Sequence, residues 1–162
     1  MRTFIHCMIV AVALAALPGC KQKQVAYEVN PVGVAPPNAN KTKLKTEEQY
    51  IAILYANLFQ KALSANELLD IVDVIASVGD KDLVHEVLIS NFMNKPDVIL
   101  PGNQEMRADI DGFIVETYHR FLVRPPSEAE KTWFRNFIES HPDLSAELVY
   151  FSFALSNEYL FY

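Results

Sequence analysis

The sequence predicts an all-α protein in which two stacked three-helix units form one six-helix domain after a disordered tether. Three observations predict this fold. Apolar residues recur at helical spacing from residue 46 to residue 162, and β-like alternation is nowhere sustained. Capping boxes at Thr46, Ser64 and Ser127 indicate helix starts. A shift of 63 positions brings one half of this region into register with the other.

The first unit, 46–95, is predicted to contain three helices. The box at Thr46 begins the first and the box at Ser64 begins the second. Either Asp80 or Asp82 caps the third. The side chains expected to face the core are Ile51, Leu54, Tyr55, Leu58, Ala62, Leu68, Ile71, Val72, Ile75, Leu83, Val87, Leu88 and Met93.

The second unit, 104–162, repeats the plan. One helix starts near Gln104 and continues to a pair of prolines, the box at Ser127 begins the next, and Asp143 or Ser145 caps the last. The side chains expected to face the core are Met106, Ile110, Phe113, Ile114, Thr117, Tyr118, Phe121, Trp133, Phe134, Phe137, Ile138, Leu148, Val149, Phe151, Ser152 and Leu155.

The shift of 63 positions matches caps and charges as well as apolar residues. Generic helical periodicity is the alternative explanation, but it would not align capping residues. We therefore interpret the domain as two units, each too small to bury its own apolar face alone. The matched pairs are Tyr55 with Tyr118, Lys61 with Arg124, Ser64 with Ser127, Glu67 with Glu130, Asp80 with Asp143 and Asn94 with Asn157.

Residues 1–19 have the pattern of a secretory signal peptide. Arg2 precedes an apolar run that is too short for a transmembrane helix, which needs about 20 residues. Leu17-Pro18-Gly19-Cys20 then resembles the lipobox of bacterial lipoproteins, with Pro18 where Ala or Ser is commoner. The resemblance implies cleavage before Cys20 and acylation of its thiol, with palmitate among the attached chains. The alternative is an ordinary secreted protein cleaved near Gly19.

Cysteine usage agrees with lipidation. The chain has two cysteines, and Cys7 would leave with the leader. The mature chain would keep Cys20 alone, so no internal disulfide is possible. We expect the lipid on Cys20 to hold the protein in the bacterial cell envelope, at the outer membrane, on its periplasmic or surface face.

The predicted tether, 20–45, differs in charge from the domain, 46–162. The tether has five lysines and one glutamate, whereas the domain has 8 basic and 19 acidic residues. A cationic tether would lie against anionic lipid headgroups, or its lysines would simply keep a linker soluble. An acidic domain argues against a nucleic-acid partner.

The end of the second unit contains a recurring pattern in segments 118–130, Trp133 and 156–162. In these segments the chain resembles a helical domain of unknown function in bacterial cell-surface proteins and in proteins with cytochrome c domains. It is more loosely similar to phycobilisome linkers. The resemblance implies a docking or scaffold module. The residues predicted to form an interaction site or a structural corner are Tyr118, Arg120, Arg124, Pro125, Pro126, Trp133, Tyr159, Phe161 and Tyr162.

Two features of this segment can be interpreted physically. Arg124 follows a helix and is expected to interact with its last carbonyls, while Tyr118 and Trp133 pack inside the corner. The aromatic tail, 159–162, either closes the core or forms an exposed docking strip. We predict that it closes the core.

No motif predicts a catalytic residue, a metal ligand or a cofactor. His85-Glu86 would need a second histidine at position 89, which is Ile89. A haem-attachment motif is also missing from the sequence. A catalytic site built from residues distant in sequence stays an alternative. We therefore expect a helical interaction or scaffold module that binds an envelope protein, or alternatively an accessory subunit of an envelope enzyme or c-type cytochrome complex.

Overall fold

A computed structural model describes residues 41–162; the leader 1–19, Cys20 and the tether as far as residue 40 lie outside the described residues. Within 41–162 the chain folds into seven α-helices and one 3₁₀ helix, with one isolated β-bridge. The predicted all-α class is confirmed. The helices are α1 (Glu47–Phe59), α2 (Ala65–Ser77), α3 (Lys81–Met93), α4 (Asn103–Ala108), α5 (Ile110–Leu122), α6 (Glu128–Ser140), α7 (Ala146–Ala154) and the 3₁₀ helix (Asn157–Leu160).

The capping boxes begin helices where the sequence predicts them. At Thr46, Ser64 and Ser127 the cap side chain accepts a hydrogen bond from the third helical residue, whose own side chain binds the cap backbone. Asp80 caps α3 and Ser145 caps α7, each accepting a backbone hydrogen bond of 3.1 Å. These contacts decide between the alternative caps that the sequence left open.

The helix predicted from Gln104 is two helices, so the domain has seven helices instead of six. The backbone breaks at Asp109, whose carboxylate accepts a 2.9 Å hydrogen bond from the Gly112 amide and caps α5. A Cβ at position 112 would collide with that carboxylate, so glycine makes the cap possible. The break occurs because a short acidic side chain stabilises a helix start more than a helix interior.

The first two helices of each unit repeat with the predicted shift. Helices α1 and α5 have 13 residues each, as do α2 and α6, and both pairs are offset by 63 positions. The residue after α1, Gln60, has φ 53°, and the residue after α5, Val123, has φ 55°. Left-handed backbone is costly for a β-branched residue such as valine. Because a left-handed residue follows the first helix of both units, the repeat includes backbone geometry as well as sequence.

The third helices follow a different offset, of 61 positions. Phe92 on α3 lies edge-on to Tyr55 at 5.5 Å, and Phe153 on α7 lies edge-on to Tyr118 at 5.0 Å. The predicted matches of Asp80 with Asp143 and of Asn94 with Asn157 are therefore not structural equivalents. Asn94 ends α3, whereas Asn157 begins the 3₁₀ helix.

One apolar core connects the two units, and α3 packs against α7. Six side chains predicted to face the core are exposed instead: Ala62, Leu83, Val87, Trp133, Leu148 and Ser152. On α3 the buried face is formed by Val84, Leu88, Ile89 and Phe92. A helix that is apolar over much of its surface does not by itself indicate which stripe will face the core.

Candidate interaction site

Arg124 is the centre of the predicted corner. Its guanidinium forms two hydrogen bonds to Glu158, both 2.7 Å long, and two to Glu130, of 2.8 and 3.0 Å. The same group lies 5.0 Å from the ring centre of Tyr118. The structure corrects the expected role, because Arg124 joins two carboxylates from different elements instead of acting mainly on helix-end carbonyls. This geometry uses the planar fork that arginine offers and lysine lacks.

The two carboxylates and the guanidinium change one another's titration. Hydrogen bonding to Arg124 holds the pKa of Glu130 at about 2. The same partner lowers the pKa of Glu158, and both carboxylates raise the pKa of Arg124. Burial, followed by the charge of Glu130, raises the pKa of Tyr118 to about 12. All four groups therefore keep their charge state around neutral pH.

The first unit contains a weaker version of this corner. Lys61 occupies the position that corresponds to Arg124, and its ammonium lies 2.5 Å from an Asp97 oxygen and 6.0 Å from the Tyr55 ring centre. Asp97 corresponds to Glu158 under the 61-residue offset. Lys61 and Asp97 are about half-exposed, so this pair contributes little to stability.

Three other predicted residues surround the corner. Pro125 is exposed and Pro126 is half-buried just after α5. Arg120 lies over the Tyr150 ring, 5.4 Å from its centre, and donates a 3.0 Å hydrogen bond to Glu116. The second terminal nitrogen of Arg120 is buried and has no hydrogen-bond partner among the described residues.

Trp133 lies on the surface, contrary to the prediction that it packs inside the corner. It is 58% exposed and stacks on Phe137, with ring centres 5.2 Å apart. Its neighbour Phe134 turns inward and lies 5.3 Å from Phe153. Adjacent helical residues point about 100° apart, so only one of the two can face the core.

The aromatic tail divides between core and surface. Tyr159 is fully buried, its hydroxyl accepts a 3.0 Å hydrogen bond from Asn57, and its ring contacts Tyr50 and Phe121 edge-on. Phe161 forms an antiparallel bridge with Leu44. Tyr162, at the end, is 44% exposed. The tail therefore closes the core through Tyr159, while its last residue stays near solvent.

Residues 41–45, the described end of the predicted tether, lie against this tail. The Lys45 amide donates to the Leu160 carbonyl at 2.9 Å, and the Tyr162 amide donates to the Lys43 carbonyl at 2.8 Å. The Lys45 ammonium donates to the Tyr159 carbonyl and lies 4.3 Å from the Tyr159 ring centre. Burial lowers the pKa of Lys45 to about 8, so it stays mostly charged at neutral pH.

An apolar groove that no sequence motif predicts lies between α2 and α3. The groove has a volume of about 330 Å³, and its lining includes Val74, which is 61% exposed. Comparing the two units residue by residue could have revealed it, because Phe134 and Phe137 stand in α6 where Ile71 and Val74 stand in α2. The lining residues are Asp70, Ile71, Val74, Ile75, Val84, Val87, Leu88, Asn91, Phe92 and Lys95.

A second, more polar pocket of about 300 Å³ contains His85. The imidazole lies 3.1 Å from a Glu47 oxygen and 4.5 Å from the Tyr50 ring centre. Within residues 41–162 no three potential metal-binding side chains form a group that could hold an ion. The contacts of His85 are those of a side chain at the edge of the core.

Comparison with known proteins adds no family assignment. No protein-family model, curated protein or solved structure matches the chain. The similarity of the second unit to cell-surface and cytochrome-associated domains therefore stays a prediction. In the part of the chain that the structure describes, no helix has both the length and the apolar character needed to cross a membrane.

Proposed function

We propose that this chain is a lipid-anchored bacterial lipoprotein whose helical domain is a protein-interaction or scaffold module of the cell envelope. The Leu17-Pro18-Gly19-Cys20 motif carries the anchoring half of the proposal. In it, the acyl chains on Cys20 hold the protein at the outer membrane, on the periplasmic or the surface face. The domain binds another envelope protein and catalyses no reaction.

The exposed apolar groove of the first unit supports the interaction half. Val74 and Val87 are largely exposed beside buried Ile75 and Phe92, so the groove opens directly from the core to solvent. Contiguous exposed apolar surface is typical of interaction sites. Among the carboxylates of residues 41–162, Glu130 has the most strongly lowered pKa, and its partner Arg124 gives it a structural role. This arrangement favours binding over catalysis.

Radioactive palmitate tests the anchoring half in bacteria that produce the full chain. We expect label on the wild-type protein and none on a Cys20→Ala variant, because Cys20 would carry the lipid. A Cys7→Ala variant is the matched control and should keep its label, since Cys7 lies in the predicted leader. Unlabelled wild-type protein, or label that survives Cys20→Ala, would contradict lipidation at this residue.

A further inference from the structure

The groove between α2 and α3 is a property of the first unit and not a requirement of the fold. In the second unit Phe134 stands where Ile71 stands in the first, and it packs against Phe153 at 5.3 Å and Tyr118 at 6.0 Å. The same helical architecture can therefore be built with aromatic rings in this space. In the first unit the smaller Ile71 and Val74 leave about 330 Å³ open beside Phe92.

The helix that forms one wall of the groove is strongly acidic. Helix α2 carries Glu67, Asp70 and Asp73 and contains no lysine or arginine. Asp70 itself lines the groove. Lipid or apolar peptide alone would not use this charge, whereas a partner with basic residues beside an apolar stripe would match both features.

The opposite wall, formed by α3, contributes no carboxylate to the groove, and its lining there is apolar apart from Asn91. Asp82 and Glu86 of α3 line the second pocket, beside His85, instead. Lys81 donates a 2.5 Å hydrogen bond to the Ile75 carbonyl. Lys95, at one end of the groove, lies 5.5 Å from the Phe92 ring centre. The α2 wall of the groove is therefore acidic, the α3 wall is apolar, and one ammonium group, that of Lys95, lies at the end of the groove.

The negative charge also argues against a second copy of this chain as the occupant. A symmetric dimer through this face would bring the carboxylates of two α2 helices together, and like charges placed opposite each other are unfavourable. A helix bound in an apolar groove normally contributes residues spaced i, i+3 or i+4, and i+7. Its flanking positions would then face the Asp70 side of this groove.

Building on the proposed function, we propose that the α2–α3 groove binds an amphipathic helix of an envelope partner, with lysine or arginine along the edge of its apolar stripe that faces α2. The apolar stripe covers Val74, Val87 and Leu88. The basic residues face the carboxylates of α2. The groove thereby selects its partner by charge as well as by shape, and the second unit serves as support for the first.

The test uses two synthetic helical peptides of the same length with the same leucine stripe, one flanked by lysines and one by glutamates. Each is labelled with a fluorophore and titrated, by anisotropy, with the full chain in phosphatidylcholine nanodiscs; empty nanodiscs give the blank. We expect the lysine peptide to bind at least about tenfold more tightly than the glutamate peptide. Higher salt should weaken the binding, since partly exposed charges are screened.

The groove-closing variant copies the second unit. Ile71→Phe combined with Val74→Phe places the aromatic residues of α6 at the equivalent positions of α2, and lysine-peptide affinity should fall at least about tenfold. Asp70→Asn should reduce the preference for the lysine peptide while leaving the fold intact. The matched control is Leu148→Ala, at the position in α7 that corresponds to Val87, and should bind like wild type. Melting curves verify that each variant is folded.

Four results would overturn the proposal. These are equal binding of the two peptides, no binding of either, a wild-type dimer that the groove-closing variant converts to a monomer, or tighter peptide binding after the tether lysines are replaced by glutamine. The last two results would assign the groove to a second copy or to the chain's own tether. None of them affects the palmitate experiment, so anchoring and groove binding can fail separately.

Discussion

Replacing Tyr159 by alanine is expected to lower the free energy of unfolding by about 3–5 kcal/mol, the usual cost of removing a large aromatic side chain from a core. Tyr159 is fully buried and contacts Tyr50 and Phe121, which belong to different units. Its loss would leave a cavity where the two units meet. It would also leave the Asn57 amide without its 3.0 Å partner.

Deleting residues 159–162 should have a larger effect, because the bridge to Leu44 and the backbone hydrogen bonds to residues 43–45 would disappear as well. The expected fall in melting temperature is on the order of 10–20 °C.

Tyr162→Ala is the exposed control for the tail and should lower the free energy of unfolding by less than about 1 kcal/mol. Tyr159→Phe should cost about 1 kcal/mol, because it removes only the hydroxyl. A tail deletion that melts within two degrees of wild type would contradict a structural role for the tail.

Replacing Arg124 by alanine is expected to cost about 2–4 kcal/mol, more than a cation at a helix end would contribute. The substitution would leave Glu130 and Glu158 close together, partly buried and without their common partner. Arg124→Lys should recover only part of the loss, since an ammonium cannot bind both carboxylates through a planar fork. Urea denaturation would measure the difference in the free energy of unfolding.

The matched control for Arg124 is Lys61→Ala in the first unit. Lys61 and Asp97 are about half-exposed, so we expect a loss of less than about 1 kcal/mol. Similar losses for the two variants would show that the Arg124 network contributes no more than an ordinary surface ion pair.

The pH dependence of stability gives a second readout for Arg124. The pKa of Glu130 falls from 4.5 to about 2 on folding, so the folded state binds fewer protons between these values. This stabilisation is complete above pH 4.5 and is lost as the pH falls towards 2. In the Arg124→Ala variant the fall in stability between pH 4.5 and pH 2 should be smaller, because the largest cause of the lowered Glu130 pKa is missing. The hydrogen bond from the Ser127 amide to Glu130 remains and should preserve part of the pKa shift.

Local signals in the sequence predicted helix starts well because capping depends on neighbouring residues. The boxes at Thr46, Ser64 and Ser127 form as expected. The repeat predicted the equal lengths and offsets of the first two helices in each unit. The 63-residue repeat did not predict the third helix, because the connection between α6 and α7 changes the offset. No capping motif in the sequence indicates the course of that connection. The break at Asp109 was missed since its apolar neighbours continue the helical spacing.

Side-chain orientation was harder to predict than helix position. Trp133 and Phe134 are adjacent and both large, and the contacts of Phe134 with Tyr118 and Phe153 determine which one faces the core. The role of Arg124 depends on Glu158, which lies 34 residues away and reaches the corner only in the folded chain. The groove forms because the side chains of Ile71 and Val74 in α2 are smaller than those of their counterparts in α6, Phe134 and Phe137. These features arise from tertiary contacts and not from local pattern.

Site-specific photo-crosslinking in intact cells tests most directly whether the domain binds a partner through the first unit. Asn91, which lines the groove and is exposed, would be replaced by a diazirine amino acid. The structurally equivalent Ser152 is exposed in the second unit and provides the matched control. We predict a discrete adduct with another envelope protein from position 91, none from position 152, and loss of the adduct when Ile71→Phe and Val74→Phe close the groove. Equal adducts from the two positions, or none from position 91, would contradict the assignment of partner binding to this groove.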